Sequence, residues 1–199
     1  VALKKTVAAI VFLGAAGVIG WTSMYTVFDT EVEMQELAFP VEASVLPREV
    51  ADPTRIIIPA INVDALVEHV SVKSNGNMAT PTKFSDVGWY MWGPAPGERG
   101  NSVMAGHVDN AVGLAGVFKN LANVSIGDTI EVVNEAGEKV HFTVSRMETY
   151  SYQDAPAEVI FNTQGDPQLV LITCGGDWIQ EEKTYEKRIV VFAKIHTES

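Results

Sequence analysis

The sequence predicts a mainly β domain, closed or nearly closed into a barrel and carried behind one apolar N-terminal helix. Three observations lead there. From Arg55 onward the apolar residues come in short runs rich in Val, Ile and Thr, broken by Gly, Pro, Asn and Asp, the pattern of many short strands. Only residues 114–121, opening after Gly113, look like a short helix beyond that point, and strands with few helices to cover them leave edges that closure removes. Residues 6–28 carry no charged side chain, and as a helix they would run roughly 35 Å, enough for a hydrocarbon core of about 30 Å.

Lys4 and Lys5 precede the apolar run, Trp21 and Tyr25 suit a membrane interface, and Asp29, Glu31, Glu33 and Glu36 follow. The excess of positive charge before the run places the N-terminus in the cytoplasm and everything after Phe28 outside. The run outlasts a typical signal-peptide core, so an uncleaved single-pass anchor is expected over residues 1–28. Residues 29–53 are acidic, with Arg48 as their one base and prolines at 40, 47 and 53. Residues 31–39 read as a short helix continuing the anchor, and the rest as an extracellular spacer. Residues 54–199 form the folded domain. Its candidate strands are 55–58, 65–72, 78–79, 102–105, 129–133, 140–147, 169–173 and 189–195. The sixth alternates clearly, Val140, Phe142, Val144 and Arg146 on one side, and Asn134 to Gly137 turn the chain between the fifth and sixth as a hairpin. Residues 151–167 and 175–187 are too long and irregular for simple turns, and long loops on a rigid barrel are where binding is usually built.

Composition narrows the chemistry. Fourteen Lys and Arg against 25 Asp and Glu give a formal charge of −11, which excludes the basic face that nucleic-acid binding requires. Hydrophobic residues make up 47% of the chain, enough for a core and too many for wholesale disorder. A single cysteine, Cys174, makes neither an internal disulfide nor a Cys-rich zinc site. His69, His107, His141 and His196 lack the short spacings of a metal cluster, so no metal and no other cofactor is expected; calcium dependence stays open, since an acidic surface offers oxygen ligands without a recognisable loop motif.

Cys174 closes the apolar run 169–173 and is followed at once by Gly175 and Gly176. A lone cysteine is more often a core residue than a nucleophile, but an exported protein seldom keeps an odd thiol unused, and this one sits at a strand's end. His107 follows Gly106 just past another apolar strand. A thiol needs such a partner, because only the thiolate attacks and the leaving amine must be protonated. Asp109, two residues on, could instead pair with His107 as metal ligands, although two without a third are weak evidence. Arg188 begins the last strand, where a guanidinium could steady the oxyanion formed when sulfur attacks a carbonyl. Its neighbour Lys187 should face the other way.

The string Leu171-Ile172-Thr173-Cys174, the upstream Gly106-His107-Val108-Asp109 and Arg188 at a strand start resemble a sortase, a membrane-anchored cysteine transpeptidase found mainly in Gram-positive bacteria. The similarity runs from about Arg55 to Ile195. The His-Val-Asp string, Asp128 after Ile126-Gly127 and the Gly-Gly after the cysteine are most similar to class F; Val170 departs from the Thr of the usual motif. The resemblance implies an eight-stranded barrel and a two-step acyl transfer. Cys174 would attack the Thr–Gly bond of an LPxTG-like sorting signal, His107 would serve as general acid and base, and Arg188 would align the substrate and stabilise the oxyanion. It further implies that Thr173 orients the substrate backbone and that Ala157, Val159 and Ile160 seat the Leu-Pro part. The acceptor would be an amine, such as a peptidoglycan precursor or a pilin lysine, or else water. Papain-like and amidase folds place Cys before His, the reverse of this order, and L,D-transpeptidases use a Ser-His-Gly-Cys arrangement where this chain has Ile172-Thr173. A non-catalytic anchored barrel for adhesion would leave His107, Cys174 and Arg188 unexplained.

Overall fold

The computed structural model describes residues 49–109 and 113–196. Eight strands follow one another: β1 (Pro53–Ile58), β2 (Val63–Val70), β3 (Val87–Tyr90), β4 (Asn101–Ala105), β5 (Thr129–Asn134), β6 (Lys139–Ser151), β7 (Gln168–Ile179) and β8 (Thr184–Ile195). They close into a barrel in the order β1-β2-β3-β4-β7-β8-β6-β5, with β5 returning to pair with β1. Two pairs, β2–β3 and β4–β7, are parallel and therefore need crossover connections rather than hairpins. Those crossovers supply the segments that later form the site's walls.

The interior is filled by alternate residues of each strand. Ile56, Ile58, Trp89, Met104, Ile130, Phe142, Leu169 and Leu171 are fully buried there, joined by Phe118 and Leu121 from the β4–β5 connection. In β6 the expected alternation holds through Phe142 and Val144, after which a bulge before Arg146 breaks the register with β8. The guanidinium of Arg146 then lies over the Phe192 ring at 3.8 Å.

β7 and β8 are buried on both faces. Leu169, Leu171, Val191 and Ala193 enter the barrel, while Val170, Val190 and Phe192 form a second cluster with Val103 and Ile160. Residue Ile160 belongs to the short helix α1 (Ala157–Ile160), which lies in the β6–β7 connection and covers the barrel's outer side. Asn101, itself buried, holds it there: its Nδ2 donates to the carbonyls of Val159 and Ile160 at 2.9 and 3.1 Å.

Several expectations need correction. Residues 114–121 are not a helix. Gly116, Val117 and Phe118 donate their backbone N–H groups to Val108, Phe84 and His107, so these donors serve tertiary partners rather than a helical ladder. Only a 3-10 turn, Leu121–Asn123, follows. Residues 78–79 make one bridge, Val72 to Met78, rather than a strand, while β3, hidden by Gly88 and its flanking turns, was not expected. The stretch 175–187 is mostly the outer end of the β7–β8 hairpin, so β7 does not stop at Cys174 but runs on to Ile179 through an irregularity between Gly175 and Trp178. Gly176 makes that irregularity possible: its φ is +74°, and a Cβ there would strike the Glu186 side chain. Among the described residues no helix is long and apolar enough to cross a membrane; the expected anchor, 6–28, and most of the spacer lie outside the described residues.

Candidate active site

The register of the β7–β8 pair sets Cys174 directly opposite Arg188. Both sit at even positions, on the same outer face as Val170 and Ile172 or Val190 and Phe192. A groove of about 1150 Å³ opens over that face. Its floor is β7 and β8, one wall is the β2–β3 crossover (Lys73, Met78, Phe84), and the other is the β6–β7 connection (Tyr152, Ala157, Ile160). His107, Cys174 and Arg188 all line it.

His107 is delivered by the loop after β4, fixed at several points. Gly106 donates to Ile172 and its carbonyl accepts from the Thr173 hydroxyl at 2.8 Å. The His107 Nε2 lies 3.0 Å from the Pro81 carbonyl; a carbonyl only accepts, so this nitrogen carries the proton. Phe84 packs against the ring at 4.7 Å between centroids. Behind the loop, Gly116 runs so close that a Cβ would land on the His107 backbone carbonyl.

Arg188 is held by its own strand end. One terminal nitrogen donates to the carbonyls of Tyr185 and Lys187 at 3.0 and 2.9 Å, the other to the Thr184 hydroxyl at 2.8 Å, with Tyr152 5.8 Å away across its plane. Lys187 is not part of the groove lining and pairs with Glu186 at 3.0 Å. Burial pushes the Cys174 thiol above its ordinary value; Arg188 and Lys73 oppose this, and Asp109 adds to it. Arg188 therefore favours the thiolate, as its placement suggests, without overcoming desolvation.

The remaining sequence-nominated residues divide. Ala157 and Ile160 line the groove, whereas Val159 does not and is 39% exposed. Thr173 contributes to the lining, but its hydroxyl is committed to Gly106, so it ties the histidine loop to the cysteine strand. Tyr185 was missed, because its segment reads as loop from sequence. Its hydroxyl donates to Asp109 at 2.6 Å, its ring meets Trp178 edge-on, and the carboxylate beside it drives its own pKa up to about 12. Among the described residues no three His, Cys, Asp or Glu side chains converge as metal ligands.

The match to a family model decides the family: the sortase domain covers residues 56–196. The chain belongs to the sortase family. It is accordingly a cysteine transpeptidase. Solved sortases share the fold. A lid mutant of sortase A from Corynebacterium diphtheriae is 22% identical, with 74% of this chain and 71% of that one covered and a TM-score of 0.58. Sortase C-1 from Actinomyces oris is also 22% identical, covering 74% and 76%, again at 0.58. The sortase D5 transpeptidase of Clostridium perfringens is 19% identical, covering 73% and 79%, at 0.55. No curated protein sequence matches this sortase significantly.

Proposed function

We propose that this sortase is a membrane-anchored extracellular enzyme, most similar to class F, that cleaves an LPxTG-like signal between Thr and Gly and passes the protein to an amine or to water. The observation that carries the proposal is the pairing of Cys174 with Arg188 across two strands under a groove that His107 also enters. A peptide lying along β7 would present its carbonyl to the sulfur with a guanidinium beside the developing oxyanion. The Cys174 thiolate adds to the Thr carbonyl, and the C–N bond breaks as His107 protonates the leaving glycine amine, leaving a thioester. In the second step an amine adds to that carbonyl, its proton passes by way of His107 to the departing sulfur, and the thiol is restored. The apolar wall of Ala157, Ile160 and Phe161 suits the Leu-Pro part. The charge-free run 6–28 behind Lys4 and Lys5 supports an anchor with the domain outside, near cell-wall or pilin acceptors.

The test is incubation of the chain with a quenched LPxTG peptide, with and without triglycine, for the wild type and Cys174→Ala. Cleavage and a triglycine adduct are expected only with the thiol; cleavage that survives in the alanine variant would remove the mechanism.

A further inference from the structure

We propose that Asp109 is the acceptor-binding residue, its carboxylate seating the ammonium of the incoming amine beside the acyl group on Cys174. This rests on the two-step reading above and adds to it where the second substrate sits. Against 25 acids in the chain, Asp109 is the only carboxylate among the described residues that line the groove. The other charged side chains there are Lys73, Lys183 and Arg188, so among the described lining residues Asp109 supplies the one negative charge that attracts a cationic amine. Its charge also reaches the reacting atom, since Asp109 bears on the Cys174 thiol together with Arg188 and Lys73.

The carboxylate is held for this task rather than consumed by another. Tyr185 takes one of its roughly four lone-pair sites, at 2.6 Å, and the ion pair that would neutralise it is not present in the groove: no salt bridge to Asp109 occurs among the described residues. Tyr185 stands on β8 three residues before Arg188, opposite Trp178, so the hydrogen bond fixes Asp109 over the outer end of the β7–β8 hairpin, in the groove that Cys174 also lines. In the aminolysis step the bound ammonium releases one proton to solvent and its nitrogen adds to the thioester carbonyl. The C–S bond then breaks, and the second proton passes through His107 to the sulfur.

Two substitutions in the 199-residue chain, held in detergent micelles, separate charge from scaffold. Asp109→Asn keeps an acceptor for the Tyr185 hydroxyl but loses the charge; Tyr185→Phe keeps the charge and loses the hydrogen bond. The readouts are the KM for triglycinamide, whose only charge is its ammonium, and the rate of acylation by the LPxTG peptide in a single turnover. Asp109→Asn is expected to raise the acceptor KM about tenfold or more and to quicken acylation, because a charge opposing the thiolate is gone; Tyr185→Phe should change the acceptor KM far less. Equal damage from both variants makes Asp109 a strut for Tyr185 and overturns the inference, as does an unchanged KM in Asp109→Asn. Failure of the wild type to cleave the peptide overturns the two-step reading and this inference with it, whereas normal cleavage with unaltered acceptor kinetics overturns the inference alone.

Discussion

Cys174 lies under two opposed influences, and they set its pH behaviour. Burial raises the thiol's pKa and Arg188 lowers it, with burial the larger, so the thiolate is a minority at neutral pH. Alkylation of Cys174 by iodoacetamide should still be accelerating above pH 9. Arg188→Gln should move that curve to higher pH, and Asp109→Asn to lower pH. On the proposed mechanism the thiolate is the reacting form, so the rate should climb from neutral pH along with the alkylation curve; a rate flat from pH 5 to 10 would contradict it. Arg188→Lys offers one point charge in place of a planar fork whose nitrogens already make three hydrogen bonds. On its proposed role as an oxyanion donor, a loss in kcat of about 10²-fold is expected, with little change in KM. At this scale the sequence is most informative: His107, Cys174 and Arg188 were legible because each follows or opens an apolar run. Tyr185 was not, because a tyrosine in a charged stretch reads as surface until the hairpin brings it to Asp109.

The connections between strands hold the chemistry in place, and they were the least legible part. Sequence periodicity reports which face of an element is buried; it cannot report that residues 116–118 give their N–H groups to Val108, Phe84 and His107, so an apolar stretch resembling a helix became packing behind the histidine. Gly116 is the consequence. An added methyl meets the His107 backbone, and displacing that loop by an ångström would cost about 10²-fold in kcat. Gly116→Ala should therefore be folded by circular dichroism yet nearly inactive. Asn101 works the same way for the opposite wall. Asn101→Ala strands the carbonyls of Val159 and Ile160, and loosening α1 should raise the KM for the sorting peptide more than it lowers kcat.

For the molecule as a whole, the class was legible and the closure was not wholly so. Seven of the eight strands stand where the apolar runs place them, whereas 78–79 makes only a bridge and β3 carries no such run. Parallel pairing of β3 with β2 joins residues far apart in sequence, so no local signal marks it. The barrel they close has fully buried aromatic residues at its centre. Phe142→Ala should cost about 3–5 kcal/mol, a large part of a stability of about 5–15 kcal/mol, read as a lower denaturant midpoint. Alkali should weaken the fold as well. Native pKa values of Cys174 and Tyr185 lie above their ordinary ones, so the stability these groups contribute is present below those ordinary values and is lost as pH rises through the native ones. The melting temperature should thus decline above pH 9, and Cys174→Ala should flatten part of the decline.

The strands that carry Cys174 and Arg188 also build the barrel's interior, while both sides of the groove belong to excursions between strands. Chemistry and recognition are thereby shared out unequally: the β6–β7 excursion past Tyr152 can be lengthened, shortened or exchanged for another sortase's without disturbing the sulfur or the guanidinium, whereas the β2–β3 excursion also carries Pro81 and Phe84, which hold His107. An engineer seeking a new pentapeptide preference would graft residues 153–167 and leave β7, β8 and residues 71–86 alone.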